Sequence, residues 1–215
     1  MTSLAARRLQ LLDWAQSSGA WIIEDDYDSE YRYDSMPITS LQGLDHYARV
    51  IYIGTFSKVL FPSLRLGYIV IPPDIVDRFQ SVRYEMDIFP PTFFQEVLTD
   101  FMEDGHFARH IRRMRQLYRE RRTALVESIR AEFGATFQIY GTEAGMHLTI
   151  ILPEGFHDRE IALRAAKQGL WLWPLSPSYF GQGTRQGFIL GFGSTPAPQM
   201  QKAVGQLKSV LETFS

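Results

Sequence analysis

The stretch YIGTFSKVLFPSLRLGYIVIP, residues 52–72, sets a single lysine between two apolar runs that are typical of strands. Thr55 and Ser57 come just before Lys58, and Arg65 opens the second run. In open α/β sheets, ligands collect beyond the ends of the strands, which is where these residues fall. A lysine amine can form a Schiff base with an aldehyde, and hydroxyl groups with a guanidinium suit phosphate oxygens. The stretch therefore predicts a Schiff-base lysine beside a phosphate site, with an ordinary solvated lysine as the alternative.

The composition is that of a globular protein that carries no large charge. The chain has 215 residues, of which 45% are hydrophobic and 21% charged, and its net charge is −2. This charge gives no global case for nucleic acid or an anionic membrane as a partner. Cysteine is absent, which excludes disulfides and thiolate metal sites. Because the sequence also lacks an apolar run of membrane-spanning length and the apolar core of a signal peptide, we expect a cytoplasmic protein with no membrane partner.

Helical and strand patterns alternate over the first hundred residues. The predicted helices cover residues 3–18, 74–86 and 90–105, and the predicted strands cover residues 20–24, 49–54 and 65–72. Alternation of this kind is typical of an α/β layered domain. A sheet that has three strands and is entered by a helix at residue 3 lacks its opening half, so we expect the chain to be a piece of a longer domain.

The second half of the chain follows a different pattern. A long arginine-rich helix is predicted at 106–132, and the predicted strands and helices that follow it cover 145–153, 157–169, 170–175, 187–192 and 196–214. These elements predict a smaller α+β unit. The expected organisation is therefore a large domain at 1–105, a connecting helix at 106–132 and a small domain at 133–215.

An acidic segment, IIEDDYDSEYRY at residues 22–33, follows the first predicted strand. Its carboxylates are Glu24, Asp25, Asp26, Asp28 and Glu30. Carboxylate clusters suit magnesium or calcium, so a divalent-metal site is one interpretation, although the spacing is not that of an EF-hand. The other interpretation is that one aspartate at the strand end holds a protonated pyridine nitrogen while the following tyrosine donates to a ring hydroxyl.

Three segments together carry a family resemblance: WIIEDDYDSEYRY, ARVIYIGTFSKVLFPSLRLGYIVIPP and HIRRMRQLYRERRTAL. They resemble the aminotransferase-like domain of MocR-type regulators of the GntR superfamily, which join a winged-helix DNA-binding domain to a fold-type-I pyridoxal-phosphate domain. The resemblance runs over essentially the whole chain. It implies an α/β fold, namely a partial fold-type-I pyridoxal-phosphate-dependent transferase in which a remnant of the large-domain sheet precedes a small α+β C-terminal domain.

The resemblance also implies roles for residues near the two motifs. Lys58 would form the Schiff base with pyridoxal 5'-phosphate, and Thr55, Ser57 and Arg65 would bind its phosphate. Asp25 would pair with the pyridine nitrogen and keep the ring an electron sink.

Tyr27 would hydrogen-bond the phenolic oxygen of the ring. Asp25 is chosen over Asp26 because the family has a D-x-Y pattern and because side chains alternate along a strand.

Two departures from the family pattern concern the substrate and the cofactor. The arginine that usually binds the substrate carboxylate is replaced by Ile189, which leaves Arg185 and Tyr179 as the candidate substrate-binding residues. The glycine- and serine-rich loop, the ring-stacking aromatic and the asparagine expected from the family have no candidate in this chain. We therefore expect this chain alone to bind pyridoxal phosphate weakly.

The function that the resemblance implies is that of an effector sensor in a transcription regulator, exchanging the cofactor with an amino compound. The expected partners are that amine, a second copy in a homodimer, and DNA through an N-terminal domain outside this chain. A stand-alone class I/II aminotransferase and, more remotely, a metal-binding domain using the acidic segment remain alternatives. The arginine-rich helix suggests either nucleic-acid contact or a solvated face with i,i+4 ion pairs.

Overall fold

The computed structural model of the chain describes residues 4–33, 38–89, 92–181 and 185–214. Its contacts separate two units. Unit 1 consists of Met1–Ser29 with Met36–Ile111, and unit 2 consists of Glu30–Ser35 with Arg112–Ser215. The predicted domain limits at residues 105 and 132 stay a prediction.

Unit 1 contains a small sheet and four helices that lie wholly within it. Its elements are α1 (Leu4–Ser18), β1 (Ile22–Asp26), α2 (Leu41–Leu44), β2 (Val50–Thr55), β3 (Gly67–Val70), α3 (Val76–Met86) and α4 (Phe93–Glu103). The three predicted strands are confirmed, each with slightly different ends. Residues 90 and 91 of the predicted helix at 90–105 lie outside the described residues.

The sheet of unit 1 has the order β1-β2-β3 and mixes two kinds of pairing. Strand β1 runs parallel to β2, from Ile22 opposite Val50 to Asp26 opposite Gly54. Strand β3 runs antiparallel to β2, with Thr55 opposite Gly67. The carboxyl ends of β1 and β2 and the amino end of β3 therefore meet at one edge of the sheet.

The core of unit 1 is small. Leu12, Leu41 and Val50 form a buried cluster on which Ile22 and Leu44 pack. Outside this cluster much apolar surface is exposed: all four residues of β3 are exposed, and no residue of α3 is buried. Helices α1 and α2 and strands β1 and β2 thus supply the cluster, while β3 and α3 leave their apolar side chains largely uncovered.

Helix α5 (His106–Phe133) begins in unit 1 and continues in unit 2. The other elements of unit 2 are β4 (Gln138–Tyr140), β5 (His147–Ile151), α6 (Asp158–Ala166), β6 (Trp173–Pro174), β7 (Gly187–Gly191) and α7 (Ala197–Leu211). Over the described residues, no helix is both long enough and apolar enough to cross a bilayer.

The sheet of unit 2 is antiparallel, with the order β4-β5-β7-β6. Leu148 and Ile150 of β5 are buried and alternate with more exposed neighbours, and Phe188 of β7 is buried beside them in the sheet. The predicted strand at 170–175 is reduced to Trp173–Pro174, which lie opposite Ile189 and Phe188 of β7. Strand β4 is an addition that the sequence did not predict, because three residues between turns carry almost no periodicity.

A buried carboxylate joins three elements of unit 2. Asp158, the first residue of α6, is 0% exposed. Its Oδ2 accepts from the backbone N–H of Ser176 at 2.7 Å and from that of Gly187 at 3.2 Å, and its Oδ1 accepts from the Ser176 hydroxyl at 2.7 Å. The positive end of the α6 dipole favours an acid at this position. Neutral donors and a helix terminus therefore take the place of an ion-pair partner here.

Removing the Asp158 carboxylate should destabilise unit 2 strongly. Asp158→Ala leaves two buried backbone donors without an acceptor, and we expect it to lower the free energy of unfolding by about 3 kcal/mol. Asp158→Asn keeps one acceptor oxygen but turns an amide toward the donors, so a smaller loss is expected. Urea unfolding followed by tryptophan fluorescence measures both. The exposed Glu160→Gln on the same helix is the matched control, and a loss of similar size in that variant would contradict the assignment.

Candidate functional site

The turn between β2 and β3 presents Lys58 to solvent. The backbone N–H of Phe56 donates to the Leu66 carbonyl at 3.1 Å, and that of Leu60 donates to the Phe56 carbonyl at 2.9 Å. Val59 is 1% exposed, whereas the neighbouring Lys58 is exposed. Val59 therefore anchors the turn, and among the described residues the Lys58 ammonium has neither a hydrogen bond nor an ion pair.

Helix α5 supports this turn from within unit 1. Nε2 of His110 lies 2.8 Å from the carbonyl oxygen of Val59, so this nitrogen is the donor. The ring of Phe107 meets that of Phe56 edge-on, with 6.0 Å between centroids. Sequence reasoning missed His110, since no local pattern ties it to a residue 51 positions away.

The hydroxyl residues of the turn differ in their availability. Thr55 Oγ1 accepts from the backbone N–H of Ser57 at 3.2 Å and donates to the Leu66 carbonyl at 3.4 Å. The Ser57 hydroxyl has no partner among the described residues. Of the two, Ser57 is thus better placed to donate to a ligand.

Asp25 and Asp26 point to opposite sides of β1. Asp26 Oδ2 accepts from the Tyr52 hydroxyl at 2.7 Å, and its Oδ1 accepts from the backbone N–H of Ser29 at 3.2 Å. Asp25 is exposed and accepts no hydrogen bond within the described part of the chain. Strand alternation sets Tyr27, which follows the last residue of β1, on the side of Asp25. The unengaged acid and the tyrosine are therefore on the same side.

Two tyrosine hydroxyls near the strand ends are held in the protonated form. The charge of Asp28 is the main cause that raises the pKa of Tyr27, with burial and Asp25 adding to it. Burial raises the pKa of Tyr52 further, and the hydrogen bond to Asp26 acts in the same direction. Both hydroxyls are consequently hydrogen-bond donors at neutral pH.

Tyr52 and Tyr68 were not singled out from the sequence. A Cβ added to Gly54 would lie 2.3 Å from Cζ of Tyr68, so the Tyr68 ring lies directly across Gly54. The same ring packs against Phe56 with 5.4 Å between centroids. The alternating apolar pattern of β2 and β3 was the only signal, and it does not distinguish a tyrosine that packs from one that also orients an acid.

Arg65 has a strained backbone. It has φ = 53° and closes the short 3-10 turn Pro62–Leu64. Left-handed backbone costs a residue with a Cβ about 1 kcal/mol. The guanidinium is exposed and has no partner in the described part of the chain. The strain therefore occurs at a residue whose guanidinium makes no hydrogen bond or ion pair with the described residues.

The mixed sheet brings the six predicted cofactor residues to one edge of unit 1. They are Asp25, Tyr27, Thr55, Ser57, Lys58 and Arg65. The first two belong to the end of β1, the next three to the end of β2 and the turn after it, and the last precedes β3. Their roles stay predictions. Arg185 and Tyr179, the predicted substrate-binding residues, belong to unit 2, and both are exposed.

The acidic segment does not form a metal cluster. Glu24 Oε1 accepts from Arg8 at 3.0 Å and from the backbone N–H of Leu41 at 2.8 Å, and Oε2 accepts from that of Gln42 at 3.0 Å. Glu24 thus caps α2, while Asp26 binds Tyr52. Among the described residues no three histidine or acidic side chains are grouped as metal ligands would be.

Two substitutions of Arg65 separate its backbone from its side chain. Arg65→Gly and Arg65→Ala both remove the guanidinium, but only glycine adopts this φ without cost. The glycine variant should be more stable than the alanine variant by about 1 kcal/mol. The difference between their urea midpoints measures this, and an equal or lower midpoint for glycine would argue against strain at residue 65.

Comparison with known proteins agrees with this geometry. The family profile of "Aminotransferase class I and II" matches residues 4–186. Among solved structures, the "multiple substrate aminotransferase (MsAT)" of Thermococcus profundus superposes with a TM-score of 0.86 at 28% identity, over 96% of this chain and 51% of its own. The kynurenine aminotransferase of Pyrococcus horikoshii gives a TM-score of 0.87 at 28% identity, over 97% of this chain and 52% of its own. These matches confirm the predicted fold-type-I class.

Curated relatives include transcription regulators. The "Uncharacterized HTH-type transcriptional regulator YhdI" of Bacillus subtilis is 41% identical over 94% of this chain and 43% of its own length. The "Probable rhizopine catabolism regulatory protein MocR" of Rhizobium meliloti is 42% identical over 94% of this chain and 41% of its own length. The chain thus spans less than half the length of these regulators. With the profile match, the superpositions and the resemblance to MocR-type proteins in agreement, the chain belongs to the class I and II aminotransferase family.

Proposed function

We propose that this chain is the effector-sensing part of a MocR-type transcription regulator, in which Lys58 holds pyridoxal phosphate and releases it to an amino compound. The observation that carries the proposal is the sheet edge of unit 1. There an exposed amine, an exposed guanidinium and an unengaged carboxylate lie at the ends of three adjoining strands: Lys58 after β2, Arg65 before β3 and Asp25 next to the final residue of β1.

The chemistry of these side chains fits the cofactor. Pyridoxal phosphate carries a phosphate, an aldehyde, a phenolic oxygen and a pyridine nitrogen, and when bound it supplies an aldehyde and an electron-withdrawing ring. Arg65 offers a free guanidinium fork for the phosphate, with the Ser57 hydroxyl as a further donor. Thr55 orients Ser57 through its bond to the Ser57 backbone N–H. No positive charge competes for the free carboxylate of Asp25 among the described residues.

Each remaining residue has one task. Lys58 supplies the amine that meets the cofactor aldehyde. The buried Val59 beside it holds the backbone of the turn in place, and so positions the start of the Lys58 side chain. Asp25 holds a proton on the pyridine nitrogen by charge. Tyr27, whose pKa is raised chiefly by Asp28, donates its hydroxyl proton in a hydrogen bond to the phenolic oxygen.

The residues of this chain do not restrict the effector amine to an α-amino acid. Ile189 on β7 pairs with Thr149 of β5 and with Trp173 of β6, so an apolar side chain replaces the carboxylate-binding arginine of the family pattern. Arg185 and Tyr179 are the proposed substrate contacts. Recognition of an effector amine fits this surface better than rapid turnover of amino acids does.

The regulator role is supported by similarity. The two regulators are 41% and 42% identical to the chain, whereas an "Aromatic-amino-acid aminotransferase 1" of Thermococcus litoralis is 26% identical. We further propose a cytoplasmic homodimer that binds DNA through a domain outside this chain. A stand-alone aminotransferase is the second candidate, since the solved neighbours are enzymes of that class.

Chemical trapping tests the role of Lys58. The protein is incubated with excess pyridoxal phosphate, reduced with borohydride and digested, and the modified lysine is identified by mass spectrometry. We expect Lys58 to be labelled at the lowest cofactor concentrations, and Lys58→Ala to lose this label together with the visible absorbance of the bound cofactor. Affinity for the chain alone should be low.

Lys167 provides the matched control, because it is also exposed and has no partner among the described residues. Lys167→Ala should leave the label on Lys58 and the absorbance unchanged. Equal labelling of both lysines across the concentration series would reject Lys58 as the cofactor lysine.

A further inference from the structure

Helix α5 carries a dense run of arginines. Residues 109–122 contain seven arginines and one acidic residue, Glu120. The ion pairs at i,i+4 that would make this an ordinary solvated face do not form at its centre: within the described residues, Arg112, Arg115 and Arg119 have no carboxylate partner. Glu120 instead accepts from Gln116 at 3.3 Å.

Main-chain carbonyls take the place of carboxylates. Arg115 Nε donates to the carbonyl oxygen of Glu30 at 2.9 Å, and Arg119 Nη2 donates to that of Tyr33 at 2.8 Å. A carbonyl oxygen is neutral, so these bonds orient each guanidinium and leave its full positive charge in place. The remaining N–H groups of each fork are free to donate outward.

These arginines share one exposed face within unit 2. Arg112 and Arg119 are exposed, Arg115 between them is half-buried, and Arg112 has no partner in the described part of the chain. A shallow depression of about 400 Å³ lies on this face, lined by Arg112, Arg115, Gln116, Arg119 and Glu120. Its lining contains three arginines and one carboxylate, that of Glu120, so the charge excess is positive.

We propose that this α5 arginine face, residues 112–120, binds the phosphate backbone of DNA without sequence preference. The proposal rests on the regulator function proposed above. Arginine forks bind phosphate oxygens in pairs of hydrogen bonds. The seven helical steps of about 1.5 Å from Arg112 to Arg119 span about 10 Å, which equals about three intervals of roughly 3.4 Å between successive phosphates of one strand. The three arginines that line the depression can thus each meet one phosphate of a short backbone segment.

The relatives favour DNA over other polyanions. The relatives at 41% and 42% identity are named an HTH-type transcriptional regulator and a regulatory protein, and both are more than twice as long as this chain. A domain tethered beside bound DNA experiences a high local concentration of phosphate, so a weak second contact adds substantially to the total affinity. The net charge of −2 explains why such a contact must be confined to one face.

Salt-dependent DNA binding tests the proposal. The chain, without pyridoxal phosphate, is titrated into a labelled duplex of arbitrary sequence, and fluorescence anisotropy is read at several salt concentrations. Three phosphate contacts predict a slope of about −2.7 for log K against log[salt], and hence a loss of about 40-fold in affinity between about 50 and 200 mM salt. Absence of binding at the lowest salt overturns the proposal.

A matched pair of double variants locates the contact. Arg112→Gln with Arg119→Gln removes two of the three lining charges. Arg112 has no internal partner and Arg119 bonds only the Tyr33 carbonyl, so the fold should persist, as circular dichroism will show. The slope should flatten by about 1.8. Arg159→Gln with Lys202→Gln removes the same charge from exposed positions elsewhere in unit 2, and should leave the slope unchanged. Equal effects of the two double variants would refute a contact on this face.

Competition identifies the kind of anion. If the face binds DNA, a second unlabelled duplex displaces the probe, whereas inorganic phosphate and polyglutamate at equal charge do so only weakly. Displacement by polyglutamate at equal potency would replace DNA by an acidic polypeptide and so overturn the proposal. Lys58→Ala should bind DNA like the unmodified chain. A failure to bind DNA would therefore not affect the assignment of Lys58 as the cofactor lysine, and a failure to label Lys58 would not affect the DNA-binding result.

Discussion

The mixed pairing of strand β2 is the constraint on which the candidate site depends. Because β1 is parallel and β3 antiparallel to β2, the carboxyl ends of β1 and β2 and the amino end of β3 meet at one edge of the sheet of unit 1. A fully parallel sheet would send Arg65 to the opposite edge, away from Lys58. The direction in which β3 runs beside β2 thus decides whether residues as far apart in the sequence as Asp25 and Arg65 can serve one ligand.

The sequence was most informative for features whose residues are close neighbours along the chain. The turn around Lys58 and the alternation of Asp25 with Asp26 could be predicted, since both depend on neighbours within a few residues. His110 and Asp158 could not be, because each acts on backbone groups that are distant in the sequence. Strand β4 and the short extent of the strand at Trp173–Pro174 could not be predicted for another reason, namely that strands of two or three residues have no measurable hydrophobic period.

Three charged groups among the described residues are held by uncharged partners. Asp158 is held by backbone N–H groups and a hydroxyl, and Arg115 and Arg119 are held by carbonyls. A neutral partner fixes geometry without cancelling charge, whereas an ion pair does both. The consequence differs with exposure: at the buried Asp158 the charge serves the fold, while on α5 the charge remains available to solvent and to ligands.

The left-handed backbone of Arg65 bears on how related sequences diverge. Glycine and asparagine suit this conformation better than arginine does, so selection for stability alone would replace the arginine. Retention of arginine at the corresponding position in a relative would then mark a lineage in which the guanidinium still serves a ligand, and its loss to glycine would mark one that has given up that ligand. A single position could thus separate relatives that sense the cofactor from those that keep only the scaffold.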